Sequence, residues 1–283
     1  MSLEEWLGRS STLKIRRFGA PGAFLGLDGD PDGDVILLVG AEIPEGAREG
    51  DELGVFVHRD SEGRPLATTR RPKLELGQVA FLEVTACTPI GAFVDWGLAK
   101  ELLVPFAEQT APVSVGGRYP IGLYVDDSGR LAGTMRVAEM LATPRDKNRW
   151  RLDEWVDGEA WRKDGEIGTF FIVEKTSVGL LPKSEPHTLP RGTAARLRVS
   201  NILADGKIEL SLRGHAHEEL AGDAQRVLEI LSRLKAPRVG DRSSPAQIFA
   251  VFALSKKAFK RAVGRLLKEG TVAIDDDGFV RRM

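Results

Sequence analysis

The sequence holds one cysteine, Cys87, two tyrosines and no long apolar run. A single cysteine excludes an intrachain disulfide and any multi-cysteine metal site. No apolar stretch approaches the roughly 20 residues that a membrane-spanning helix needs. The opening residues, MSLEEWLGRSSTLKIRR, lack the apolar centre of a secretory signal, so a cytoplasmic protein without a membrane partner is expected. The phosphate-cradling GxxxxGK[ST] loop is also missing. His58 and His187 stand apart from any serine or cysteine nucleophile motif. The His-x-His of HAHEE (215–219) can bind a metal, but two exposed imidazoles on a linker more often bind nothing, and GDPDGDV lacks the spaced ligands and closing glutamate of a calcium loop. These absences point to a protein that is not an enzyme, with no cofactor, no metal and no small-molecule substrate. Cys87 is then expected to be a small buried residue.

Charge is balanced overall but not locally. The 283 residues carry a net charge of −1. Residues 219–283 hold 13 Lys/Arg against 8 Asp/Glu, while the remaining 218 hold 27 against 33. A net of +5 on the last segment marks it as the part most suited to a polyanion.

Self-similarity organises the rest. GAFLGLDG begins at Gly22, GAFVDWGL at Gly91 and GTFFIVEK at Gly168. An aliphatic run follows each (VILLVGAE, ELLVPFAE, VGLLPKSE), then a glycine-led strand, then an Asp/Gly turn and a last strand ending at Arg70, Arg136 or Arg213. Short strands separated by such turns, in units of this size, predict small five-stranded barrels of the oligonucleotide/oligosaccharide-binding kind. Strand alternation turns Ala23, Leu25 and Leu27 inward, with Ala92, Val94 and Trp96, and Thr169, Phe171 and Val173, as their counterparts. The same alternation turns Phe24, Phe93 and Phe170 outward. An outward aromatic on a barrel face can stack a nucleobase, and the strand-end arginines can hold phosphates beside it. Ile172 also faces outward, which suits a packing seam, and the carboxylates Asp28, Asp30, Asp32 and Asp34 would repel phosphate near Phe24.

The period changes after Arg213. Residues 219–235 set Leu220, Val227, Leu228, Leu231 and Leu234 on one helical face. Ser244-Pro245 starts a short helix, Ser255 starts a second that stops at Gly270, and TVAIDDDGFVRRM reads as two strands about an Asp-Gly turn. Three helices and a hairpin are the order of a winged helix-turn-helix. On its second short helix, Phe259, Ala262, Val263, Leu266 and Leu267 form an apolar stripe, and Lys257, Lys260, Arg261, Arg265 and Lys268 spread opposite.

The expected fold is therefore mainly β with a C-terminal α/β segment: three tandem barrels (1–72, 73–142, 143–217) and a winged helix (218–283). The barrel motifs resemble the S1-type RNA-binding domain, most clearly in the second and third repeats. The whole chain, and SPAQIFAVFALSKKAFKRAVGRLLKEG above all, resembles the conserved virulence factor B (YitL-like) family. That resemblance implies a bacterial RNA-binding regulator of gene expression. Single-stranded RNA is the expected partner, with DNA or the ribosome as further candidates; the alternative is a DNA-binding transcription regulator acting through the winged helix.

Overall fold

The computed structural model describes residues 3–26, 35–60, 62–141, 149–185, 187–213, 216–232 and 238–283. The chain forms two compact units, Met1–Leu210 and Ser211–Met283.

The first unit holds three sheets of the same topology. After the short helix α1 (Leu3–Trp6), strands β1 (Ser10–Gly19), β2 (Gly22–Gly26), β3 (Ile36–Val39), β4 (Glu52–Arg59) and β5 (Pro65–Thr68) close a barrel in the order β1-β2-β3-β5-β4. β3 and β5 run parallel and the other pairs antiparallel. Strands β6 (Val79–Thr88), β7 (Gly91–Asp95), β8 (Leu102–Pro105), β9 (Arg118–Val125) and β10 (Leu131–Thr134) repeat the plan in the order β10-β9-β6-β7-β8. Here β8 and β10 lie side by side without a continuous ladder, so the second barrel is nearly rather than fully closed. Helix α2 (Val137–Leu141) leads to β11 (Trp155–Asp164), β12 (Gly168–Val173), β13 (Ser177–Pro182), β14 (Ala194–Ile202) and β15 (Ile208–Ser211), again closed.

The leading glycine of each repeat has a steric cause. Gly22, Gly91 and Gly168 take φ of 149°, 148° and 143°, outside what side chains favour. A Cβ on any of them would fall on the carbonyl oxygen of Leu38, Val104 or Leu181 in the neighbouring strand. The motif glycine thus lets the second and third strands of each barrel pair at their closest point. From there the alternation runs as expected: Ala23, Leu25, Ala92, Val94, Trp96, Thr169, Phe171 and Val173 are all buried. Leu27 and the four loop aspartates lie outside the described residues.

Packing between barrels was less predictable. In β4, Val55 and Val57 enter the first barrel's core, while Phe56 between them points out and is buried in the second barrel's cluster. Its ring meets Trp96 edge-on, centroids 5.7 Å apart. Between the second and third barrels, Val79, Phe81, Val137, Leu141 and Ile172 form a shared cluster, so the outward Ile172 is a seam residue. Glu159 accepts a hydrogen bond from the Phe81 amide (3.2 Å), and Arg118 reaches the same carboxylate and the Phe81 carbonyl. The β12–β13 hairpin turns through Glu174 and Lys175, both left-handed (φ 46° and 60°) although neither is glycine or asparagine. The second barrel holds that turn in place: Val79 donates to the Lys175 carbonyl (2.7 Å), and Lys175 Nζ donates to that of Lys73 (2.6 Å).

Cys87 departs from expectation. It is exposed, one residue from the end of β6, beyond the last layer of core side chains.

The second unit is built from α3 (Ala216–Leu231), α4 (Pro245–Phe252), α5 (Lys256–Lys268) and the hairpin β16 (Val272–Ile274) and β17 (Val280–Arg282). Ser244 caps α4 in a reciprocal box with Gln247, and Ser255 caps α5 through the Ala258 amide. Val227, Leu231, Ile248, Phe252, Phe259, Ala262, Val263 and Leu266 make the core, with the Phe252 and Phe259 rings 5.0 Å apart. Leu267 leaves the expected stripe at 39% exposure, because at about 100° per residue it stands at the margin of the face that Phe259, Ala262, Val263 and Leu266 bury. The side chains of Leu220, Leu234, His215 and His217 lie outside the described residues. Asp275 accepts from the Gly278 and Phe279 amides, which makes the DDDG segment the turn of the wing.

Candidate nucleic-acid interface

The three outward phenylalanines occupy equivalent strand positions but unlike surroundings. Each faces a residue across a β-bulge in the first strand of its barrel: Phe24 opposite Arg17, Phe93 opposite Ala86, Phe170 opposite Arg162. The bulge re-aims the side chain that follows it. The Arg17 guanidinium therefore lies 3.8 Å from the Phe24 ring centre, and that of Arg162 lies 4.7 Å from Phe170 and 5.3 Å from Trp161. Alanine offers no such cover, and no cation or ring among the described residues stacks on Phe93. The first and third rings are thus already engaged by cation–π contacts.

Phe93 is half-buried and lines a groove between the first and second barrels, of about 370 Å³. Its outward neighbour Asp95 is neutralised by Lys73, whose Nζ lies 2.5 Å from the carboxylate. That hydrogen bond, with another from the Gly97 amide, holds the Asp95 carboxyl below the usual range. The aspartate beside the ring is therefore paired with a lysine. Phe170 lines a different groove, of about 320 Å³, with Trp150, Trp161, Leu180 and Lys207.

The strand-end arginines share a corner device. Thr68 donates to Glu42, and its oxygen accepts from the Arg70 amide; Arg70 Nε stands 3.7 Å from Glu42. Thr134, Glu108 and Arg136 repeat this, with the ion pair at 3.8 Å. Ser211 and the Arg213 amide repeat its strand half at 3.0 Å. Arg70 and Arg136 remain more than half exposed in their side chains, so each pins a corner and still presents a cation.

In the second unit the six cations of α5 divide: Lys256 turns away to donate to the Ser243 carbonyl at 3.0 Å. Lys260 pairs with Asp241 at 2.6 Å and Arg265 with Glu269 at 2.7 Å. Lys257, Arg261 and Lys268 are exposed and have no carboxylate partner among the described residues. Gly264 sits among them, and a Cβ there would meet nothing within 4 Å. Its cost in a helix interior, about 1 kcal/mol relative to alanine, is not forced by packing.

Sequence reasoning passed over Arg17 and Arg162, which cover two of the rings, and over the groove beside the third. Counting back five residues from Gly22 and Gly91 finds Arg17 and Ala86. Nothing in the sequence announces the bulges that turn those side chains onto the rings.

Two family descriptions match: the S1 domain over residues 7–70 and the CvfB-like winged helix domain over residues 225–280. Protein YitL of Bacillus subtilis is 30% identical over 274 residues, 94% of this chain and 90% of its own. The chain belongs to the conserved virulence factor B family. Conserved virulence factor B of Staphylococcus epidermidis is 28% identical over 257 residues, covering 87% of this chain and 85% of that one. A crystal structure described as a multidomain protein with nucleic acid binding domains, from Streptococcus pneumoniae, is 27% identical over 99% of both chains, with a TM-score of 0.41. The S1 match falls on the first barrel, the repeat whose motif resembles the domain less clearly. Both matched domains belong to families that suggest nucleic-acid binding, and neither is a known enzyme family. Among the described residues no helix is long and apolar enough to cross a membrane.

Proposed function

We propose that this chain binds single-stranded RNA without turning it over, as a post-transcriptional or translational regulator in the bacterial cytoplasm. The observation that carries this reading is Phe93: an outward ring on a barrel face, opposite Ala86, with no cation stacked on it among the described residues. A base that settles there displaces no existing contact, whereas at Phe24 or Phe170 a guanidinium must first leave the ring. Phe93 is therefore the main platform and Phe24 and Phe170 secondary ones. Arg70, Arg136 and Arg213 at the strand ends, with Lys257, Arg261 and Lys268 on α5, supply phosphate contacts; Lys260 and Arg265 contribute once released from their carboxylates. A winged helix working on duplex DNA is the competing reading.

Phe93→Ala is expected to weaken binding of a single-stranded RNA oligomer by about 1–3 kcal/mol, with melting temperature unchanged. Phe24→Ala and Phe170→Ala should each cost less. Unchanged affinity with a lowered melting temperature would instead make Phe93 a packing residue. End-labelled RNA incubated with the purified protein and magnesium should stay intact. Cleavage that survives repurification and scales with protein would overturn the non-catalytic reading.

A further inference from the structure

The groove beside Phe93 is made by two barrels, and that composition has a consequence for what occupies it. Elsewhere the same two barrels meet tightly, with Phe56 against Trp96 and Leu74 fully buried. Here they stand apart. Leu66 from β5 faces Phe93 and Leu103 from the second barrel across a gap of about 370 Å³, and all three stay only partly covered. An apolar gap of this size with a few polar groups fits a small planar ligand.

The polar groups have defined characters. His58, on β4, lines the gap, and its Nδ1 stands 3.3 Å from the Arg59 carbonyl. A carbonyl only accepts, so Nδ1 carries the hydrogen and Nε2 is left as an acceptor. Burial holds the imidazole's pKa below its ordinary value, which keeps the ring neutral near pH 7. Asp60 and Asp126, also in the lining, accept from their own turns at the Arg64 and Arg130 amides. Lys100 and Arg130 are exposed in the same lining without ion-pair partners among the described residues. Apolar walls, one aromatic, a neutral acceptor and exposed cations match a base with a phosphate attached to it.

We propose that the first and second barrels together form a pocket for one unpaired nucleobase, flat on Phe93 and walled by Leu66 and His58, its phosphate at Lys100 and Arg130. This rests on the reading of the chain as a single-strand binder and assigns its principal base site to two barrels rather than one. The base can come from a strand or from a free nucleotide.

The test uses the full chain. Leu66→Trp fills the gap from the first barrel without touching Phe93, and is expected to weaken a uridine octamer roughly tenfold at unchanged melting temperature. In parallel, 4-thiouridine placed in the octamer is photo-crosslinked and the adducts are mapped by mass spectrometry on the unmodified protein. Adducts on the segments holding both His58–Leu66 and Phe93–Leu103 support the pocket. Competition of those adducts by millimolar uridine monophosphate supports it with free nucleotide as a source, and survival of the adducts supports it with the strand as the source. Octamer binding with adducts confined to other segments, or full affinity in a folded Leu66→Trp variant, overturns the pocket while leaving single-strand binding standing. Failure of the unmodified protein to bind the octamer at all overturns the single-strand reading itself, and the pocket with it.

Discussion

Replacing Phe56 with alanine is expected to destabilise the first unit by about 3–5 kcal/mol, the usual cost of deleting a fully buried phenylalanine. Phe56 is 1% exposed and belongs to β4 of the first barrel, yet its neighbours are Trp96, Leu74 and the core of the second. The deletion therefore removes the edge-on Trp96 contact and leaves a cavity between two barrels, neither of which can fill it with its own strands. For a unit of about 210 residues, such a loss lowers the melting temperature by roughly 6–20 °C. Val55→Ala in the adjacent position deletes only first-barrel packing and should cost less. Thermal unfolding followed by near-ultraviolet circular dichroism, which senses Trp96, checks both. A change below about 1 kcal/mol for Phe56→Ala would mean that the barrels fold independently of this contact.

The second large effect concerns α5. Replacing Lys257, Arg261 and Lys268 together with alanine is expected to flatten the salt dependence of single-strand binding by about two units of log K against log salt. Each phosphate contact on a single strand contributes about 0.7 of slope through released counterions. At 0.1 M salt the same three contacts are worth roughly a hundredfold in affinity. Among the described residues these three are the exposed cations of the helix without carboxylate partners. Lys260→Ala, which first breaks the pair with Asp241, should change the slope less. Loss should be similar for different base sequences, since phosphates carry no sequence information. A triple variant that keeps both affinity and slope would turn this helix toward a protein or solvent.

The barrels were legible in the sequence because their signals are local. A glycine that must clear a carbonyl, an alternating strand and an Asp/Gly turn recur in order, and each is decided within a few residues. The winged helix was legible for the same reason: Ser244 and Ser255 cap where the pattern placed them, and the Asp-Gly turn forms the wing. What the sequence concealed was the outside of the barrels. Alternation says that Phe56 and Phe93 both point away from their own cores, and it cannot say that one is buried against a neighbour while the other lines a gap. The bulges that lay Arg17 and Arg162 on Phe24 and Phe170 insert one residue into a strand without changing its composition. The exposure of Cys87 and Leu267 likewise follows from where a core ends, which is a tertiary fact.

The most direct measurement is equilibrium binding of single-stranded RNA, single-stranded DNA and duplex DNA of one sequence to the full chain at matched salt, with Phe93→Ala alongside. Stacking on an outward ring needs an unpaired base, so the single strands should bind more tightly than the duplex, RNA at least as well as DNA. Phe93→Ala should weaken the single strands and leave the duplex unchanged. Tighter binding of the duplex, with single strands indifferent to Phe93→Ala, would contradict the account and assign the function to the winged helix on DNA.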